Sequence, residues 1–230
     1  VKTLGLIGGM TWHSTVDYYR LINEGVQKRL GGSHSAEILM LSVDFEPVER
    51  LQTEGDWAAM GRLMAGAART LEKAGAEGLV LCTNTMHRLA GDIEAAVRVP
   101  FLHIADATAA AVKRAGLGTV GLLGTRYTME QDFYRGRLEK KHGLKVLVPD
   151  EPGRATVHDV IFKELARGKV REDSRRAYVE IIAGLKRRGA EGVILGCTEI
   201  PLLVKNKDSP APVFDTTALH AAAAVDFALG

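Results

Sequence analysis

The feature that most restricts this chain is that it repeats itself once. Leu4-Gly5-Leu6-Ile7-Gly8 returns as Val120-Gly121-Leu122-Leu123-Gly124, a shift of 116. Asp17-Tyr18-Tyr19-Arg20 returns as Asp132-Phe133-Tyr134-Arg135, a shift of 115. Gly75-Ala76-Glu77-Gly78-Leu79-Val80-Leu81 returns as Gly189-Ala190-Glu191-Gly192-Val193-Ile194-Leu195, a shift of 114. Three ordered matches at nearly one spacing describe two copies of one unit, and two copies do not make a solenoid.

Within each copy, short apolar or β-branched runs alternate with longer stretches of helical pattern. The runs predict strands at Thr3–Gly8, Glu37–Val43, Gly78–Thr83, Thr119–Gly124, Lys145–Val148, Gly192–Cys197 and Val213–Asp215. Helices are predicted near Ser14–Arg29, Trp57–Ala74, Ala105–Ala115, Met129–Lys140, Thr156–Arg167 and Glu172–Arg188. Such alternation predicts parallel sheets covered by helices on both faces. The first copy ends near Val99-Pro100 and the second runs to about Lys207. The segment Pro210–Gly230 adds a strand and a helix without counterpart in the repeat, and is expected to return to the first half. The expected fold is therefore α/β, with two pseudo-symmetric duplicated domains, 1–99 plus 208–230 and 100–207.

In an open parallel sheet, ligands bind beyond the carboxyl ends of the strands. Four apolar strands here end in small, polar loops: Gly8-Gly9-Met10-Thr11, Thr83-Asn84-Thr85-Met86-His87, Gly124-Thr125-Arg126 and Cys197-Thr198-Glu199. The repeat pairs the first loop with the third and the second with the fourth. If the halves face each other, the loops close around one cleft, where hydroxyls, an amide and helix N–H groups suit a carboxylate. The shift of 114 sets Thr83 opposite Cys197, Asn84 opposite Thr198 and Cys82 opposite Gly196. One hydroxyl and one thiol then occupy equivalent positions. Cys82 cannot replace Thr83, because adjacent strand residues point to opposite faces, so Cys82 is expected in the sheet packing.

These strand ends resemble the aspartate/glutamate racemase family over essentially the whole length. That family carries a Cys-Asn-Thr strand end in its first half and Gly-Cys-Thr-Glu in its second. This chain has Thr83-Asn84-Thr85 and Gly196-Cys197-Thr198-Glu199, after the opening Gly8-Gly9-Met10-Thr11-Trp12. Threonine at the first position is similar to a subgroup acting on L-aspartate and L-glutamate. The resemblance implies a cofactor-independent amino-acid racemase and a homodimer. It also implies that Met10 (through its backbone), Gln52 and Glu199 line the substrate site, with Arg50 near a side-chain carboxylate.

Racemisation needs a base on one face of Cα and a proton donor on the other, which two pseudo-symmetric halves supply. A Cys197 thiolate suits the base; free cysteine has a pKa of about 8.5, lowered near helix N-termini or cations. A threonine hydroxyl is too weak an acid to sit ionised, so Thr83 is expected to return a proton, directly or through water. Asn84, Thr85 and Thr198 would stabilise the carbanion through its carboxylate. The reaction should then start from one enantiomer, and the resemblance makes it the L form.

Plainer roles exist for the same residues. A free cysteine is commonly a small buried hydrophobe, and Asn84 and Thr85 could cap the helix that follows. Cys82 through Arg88 fits a Cys-x5-Arg spacing, but with the cysteine inside a strand rather than a phosphate loop. The glycines at 5, 8 and 9 lack the G-x-G-x-x-G spacing of dinucleotide sites. The seven histidines (13, 34, 87, 103, 142, 158, 220) show no metal-ligand spacing, and packing is the simpler role for His87 and His103. Trp12 and Tyr127 are expected to pack beside the loops.

Composition closes off other classes. The 30 basic and 28 acidic residues are mixed along the chain without a basic stripe, which argues against nucleic acid as a partner. The apolar stretch from Leu4 to Ile7 is too short for a signal or membrane segment. Two cysteines are too few for a disulfide framework, so free thiols and a cytoplasmic location are expected. Two competing functions retain the fold: a single-cysteine decarboxylase of the arylmalonate type, and a binding protein that holds an amino acid without turnover. A maleate-type isomerase fits less well, since it resembles the two-cysteine pattern.

Overall fold

The computed structural model describes residues 1–230, which divide into two compact units, Val1–Ile104 with His220–Gly230, and Ala105–Leu219. The first unit runs β1 (Leu4–Gly8), α1 (Trp12–Leu30), β2 (Ile38–Ser42), α2 (Phe45–Glu54), α3 (Trp57–Lys73), β3 (Gly78–Leu81), α4 (Ala90–Ala96) and β4 (Phe101–Leu102). Helix α5 (Ile104–Arg114) carries the chain out of it. The second unit continues with β5 (Thr119–Gly124), α6 (Arg126–Glu130), α7 (Asp132–Gly136), β6 (Lys145–Leu147), α8 (Glu151–Lys163) and α9 (Glu172–Arg187). It ends with β7 (Gly192–Gly196), α10 (Ile200–Leu203) and β8 (Val213–Asp215), and α11 (Thr216–Leu229) brings the chain back.

Each unit holds a four-stranded, all-parallel sheet, ordered β2-β1-β3-β4 in the first and β6-β5-β7-β8 in the second. The duplication is visible in the register. Leu4 lies opposite Gly78 across β1 and β3, and their repeat equivalents Val120 and Gly192 lie opposite each other across β5 and β7.

The first sheet is buried on both faces, because β1 and β3 alternate their side chains between two apolar layers. Leu4, Leu6, Val80 and Cys82 join Tyr18, Ile22 and Val26 of α1 and Ala221, Ala224 and Val225 of α11. Ile7, Leu79 and Leu81 join Met60, Met64, Ala68 and Leu71 of α3 on the other side. In the second unit Leu123, Val193 and Leu195 pack with Val157 and Ile161 of α8 and Tyr178, Ile182 and Leu185 of α9. Each such aliphatic side chain contributes about 1.5–3 kcal/mol when fully buried, so these layers fix the strand ends that carry the polar loops.

Local chemistry explains where the helices start and stop. Asp44 caps α2 through Glu46 N–H at 3.3 Å, and α2 ends on Gly55 in the left-handed conformation. Asp56 caps α3 through Ala59 N–H at 2.9 Å, and Asp150 caps α8 through Gly153 N–H at 3.0 Å. The helix expected over Met129–Lys140 is broken instead. It divides at Gln131, whose extended backbone separates α6 from α7, and ends in a wide π turn over Arg137–Lys141.

The expected boundaries at 99/100 and 207/208 move. The strand at Val213–Asp215 pairs with β7 in the second sheet, so it does not return to the first half. It has a counterpart after all: β4, two residues long, sits beside β3 as β8 sits beside β7. The chain rejoins the first unit only at His220, within α11. The physical reason is ladder pairing: β8 bonds to β7 as β4 bonds to β3, starting with Val193 N–H to the Pro212 carbonyl at 2.8 Å, which keeps this strand with the second sheet.

His220 marks that return and is fully buried. Its Nε2 donates to the Leu102 carbonyl at 2.7 Å, and Nδ1 accepts from the Tyr18 hydroxyl at 2.8 Å. Burial holds its pKa down from 6.5 to about 4, and the ring is neutral at higher pH in keeping with these bonds. The unfolded chain takes up this proton as pH falls below 6.5, while the folded chain does so only near 4. Stability present above pH 6.5 is thus lost as the pH falls to about 4, by roughly 3 kcal/mol from this one group. Urea melts across that range should show this loss for the parent and a shallower one for His220→Gln; equal slopes would refute the assignment.

Candidate active site

The polar loops lie where the register puts them, at the carboxyl ends of the central strands of each sheet. In the first unit, the loop after β1 is held by a hydroxyl cluster. Gly9 N–H donates to Thr15 Oγ at 2.8 Å, Thr15 Oγ donates to the Thr11 carbonyl at 3.1 Å, and Ser14 Oγ donates to the same carbonyl at 2.9 Å. Gly9 has φ of +95°, and a Cβ there would overlap the Val43 carbonyl and lie 2.7 Å from its nitrogen. Met10 sends its side chain into the core cluster of Ile7, Val48 and Met60. What Met10 can offer a ligand is its backbone. Gln52 is buried on α2, whereas Arg50 on the same helix is exposed.

The loop after β3 carries Thr83, Asn84 and Thr85, all buried. Cys82 extends the strand through its N–H to the Ile7 carbonyl at 2.9 Å, and its side chain lies in the packing with Leu6 and Tyr18. Burial alone pushes the Cys82 thiol far above its ordinary pKa, which makes it inert. Asn84 precedes a 3-10 turn at Thr85–Leu89 but makes no side-chain cap to it, so capping does not explain the residue. Trp12 does not pack as expected: it is 61% exposed and stacks on His13 with ring centroids 3.8 Å apart.

The loop after β7 carries the buried thiol and carboxylate of the second unit. Cys197 is 7% exposed, and its Sγ lies 2.9 Å from Glu199 Oε2. Thr198 Oγ donates to the same carboxylate oxygen at 2.8 Å. Both Thr198 and Glu199 are themselves buried. The thiol is pushed well above its usual pKa, first by burial and then by the adjacent Glu199 charge and hydrogen bond. This reverses the expectation of a thiol lowered by a helix N-terminus or a cation. The helix that follows is a single turn, and the charge against the sulfur is a carboxylate. At rest Cys197 is a thiol donating to Glu199, with a proton acceptor already in place. Beside this loop, Thr125 after β5 caps α6, accepting from Thr128 N–H at 3.3 Å.

Two features escaped the sequence reading. Glu199 was placed among the substrate-lining residues, but its contact with the Cys197 sulfur depends on a tight bend two residues long. His87 was given a packing role, yet it bonds the Thr83 carbonyl; their spacing of four residues was the available signal.

Two copies of a four-stranded parallel unit, polar loops at the strand ends and a buried thiol–carboxylate pair describe the duplicated racemase architecture. Residues 7–224 match the Asp/Glu/hydantoin racemase family, and the chain belongs to that family. It is 56% identical to a candidate Asp/Glu racemase from Yersinia pestis, with all of both chains covered and a TM-score of 0.95. An aspartate racemase homologue from Pyrococcus horikoshii OT3 is 35% identical over all of both chains, with a TM-score of 0.86. The broad specificity amino-acid racemase RacX of Bacillus subtilis (strain 168) is 22% identical over 223 residues, 96% of each chain. No helix is long and apolar enough to cross a membrane, and both cysteines are free and buried.

Proposed function

We propose that this protein racemises a small acidic amino acid, aspartate or glutamate, starting from the L-enantiomer. The observation that carries the reading is the Cys197–Glu199 pair, in which a thiol sits against a carboxylate able to take its proton. Family membership and the similarity to an aspartate racemase homologue support the substrate class.

In this mechanism the Cys197 proton passes to Glu199 as the sulfur takes the proton from Cα. The Cα–H bond breaks, an S–H bond forms, and the electron pair remains on the carbanion. Asn84, Thr85, Thr198 and the Met10 backbone stabilise the charge that develops on the α-carboxylate, and Gln52 helps hold the substrate. Thr83 passes a proton to the opposite face of Cα, directly or through a water, and is reprotonated from solvent, which is left as hydroxide. Glu199 then gives its proton to solvent, where it neutralises that hydroxide and restores every group to its starting state. No net acid or base is consumed, and the overall equilibrium constant is unchanged, so racemisation runs toward an equal mixture from either enantiomer. Enantiomers have equal free energies, so kcat/KM must be the same for both. Because a threonine hydroxyl is the poorer proton-transfer group, the asymmetry appears in D2O. There, remaining L-substrate should gain deuterium before D-isomer accumulates, while remaining D-substrate should gain little before it converts to L. Equal entry of deuterium into the two remaining enantiomers would refute that asymmetry.

The test is incubation with L-aspartate and, separately, L-glutamate in D2O, following the α-proton signal and chirality. Loss of the signal with appearance of the D-isomer supports the reading. Exchange with neither substrate, given folded protein, overturns it in favour of amino-acid binding without turnover, or of carbon dioxide release from a malonate.

The resting thiol also sets a pH profile. If Cys197 worked as a pre-formed thiolate, kcat would climb nearly tenfold per pH unit toward the thiol pKa. With Glu199 accepting the proton during the step, kcat should stay flat from about pH 6.5 to about 8.5. Glu199→Gln should lower kcat by about 100-fold and restore the rising profile, because an amide cannot accept the proton. A flat profile in Glu199→Gln would sink this role.

A further inference from the structure

Behind the Thr83 loop lies a buried layer of rings that the mechanism does not use. His87, on the 3-10 turn, is 1% exposed. Its ring centroid lies 4.6 Å from that of His103, 5.4 Å from Phe101 and 5.6 Å from His220. The bonds of His87 define its state. Nδ1 lies 2.7 Å from the Thr83 carbonyl, which can only accept, so Nδ1 carries a proton. Nε2 lies 3.2 Å from the Ile104 N–H, which can only donate, so Nε2 carries none. The ring is the neutral Nδ1–H tautomer, bonded in opposite senses at its two ends.

We propose that His87 is a positioning residue for the proton-returning arm of the reaction, holding Thr83 where its proton reaches Cα. This inference rests on the racemase reading above. A threonine after the last ladder residue of a strand has little else to hold its peptide plane: Thr83 N–H turns back to Leu81 O at 2.9 Å. The carbonyl on the other side of Thr83 is fixed by His87, and His87 by Ile104, the residue at which the first unit ends. The ring thereby braces Thr83 against the segment after β4. A reacting group displaced by about 1 Å can lose about 100-fold in rate, so a brace of this kind matters for Thr83. Cys197 has its own partner in Glu199 and does not depend on His87.

The two arms can be read separately in one experiment. In D2O, deuterium entering the remaining L-substrate reports proton removal by Cys197, exchange of the thiol with solvent through Glu199, and return to the same face, whereas deuterated D-isomer reports delivery from the Thr83 face. For His87→Ala, the ratio of D-isomer formed to deuterium incorporated into L-substrate should fall about tenfold, with KM little changed. A loss of folded protein would lower both signals together and leave the ratio intact. His87→Asn keeps an N–H near the Nδ1 position and should restore most of the ratio. His87→Gln reaches instead toward the Nε2 position and should not. If His87→Ala does not fold, the Asn and Gln variants decide. An unchanged ratio in His87→Ala, or equal ratios in Asn and Gln, overturns the positioning role while the parent still racemises. Absence of exchange in the parent overturns the racemase reading itself.

Discussion

Cys197→Ser is expected to lower the rate of α-proton exchange from L-aspartate or L-glutamate by about 1,000-fold or more. The serine hydroxyl would sit near Glu199 Oε2 as the thiol does, so the hydrogen bond and the buried geometry can survive. What is lost is acidity and nucleophilic softness: an alcohol is far harder to deprotonate than a thiol, and one carboxylate cannot make up the difference. Stability should change little, because the volume change is small and the partner is retained. Substrate binding should persist, which isothermal titration can show alongside the exchange assay. Cys82→Ser separates this effect from thiol chemistry in general. It buries a hydroxyl among Leu6, Tyr18 and Val80, so it should cost stability, on the order of 1–3 kcal/mol, yet leave turnover per folded molecule unchanged. Exchange that survives in Cys197→Ser would remove the thiol from the mechanism.

The second large effect is structural. Gly9→Ala should destabilise the first unit by about 3 kcal/mol or more. Two penalties coincide there. The backbone has φ of +95°, which side-chain-bearing residues rarely adopt, and a Cβ would overlap the Val43 carbonyl. The neighbour is backbone of the chain leaving β2, and Val43 N–H is itself bonded to the Gly8 carbonyl at 3.0 Å, so it cannot swing aside cheaply. Chemical denaturation should show the loss. Gly66→Ala is the matched control: it lies within α3, and a Cβ there meets nothing within 4 Å. It should be neutral or mildly stabilising, since alanine favours helix by about 1 kcal/mol over glycine. Similar losses in both variants would refute the steric account.

Much of this arrangement was legible in the chain. The repeat made β1 the equivalent of β5 and β3 the equivalent of β7, because apolar strand sequences buried on both faces tolerate few alternatives. The same register led to Thr83 and Cys197 as equivalent strand-end residues. β4 was missed because two residues between Pro100 and His103 carry no periodicity, and this omission misplaced β8 as well. Helix α2 was missed because Pro47 interrupts its pattern, although proline is tolerated in a first helical turn. The ionisation of Cys197 was beyond reach for another reason. It depends on burial and on the approach of Glu199 around one bend, and neither has a sequence period.

Completion of the first unit by residues 220–230 has a consequence during synthesis. The ribosome makes residues 105–219 before it makes Val225 and Ala228, which close the layer against Leu4, Leu6 and Tyr18. The second unit can therefore reach its native packing on the nascent chain while the first still exposes an apolar sheet face. Until α11 emerges, the sheet face that Val225 and Ala228 cover stays open on that side.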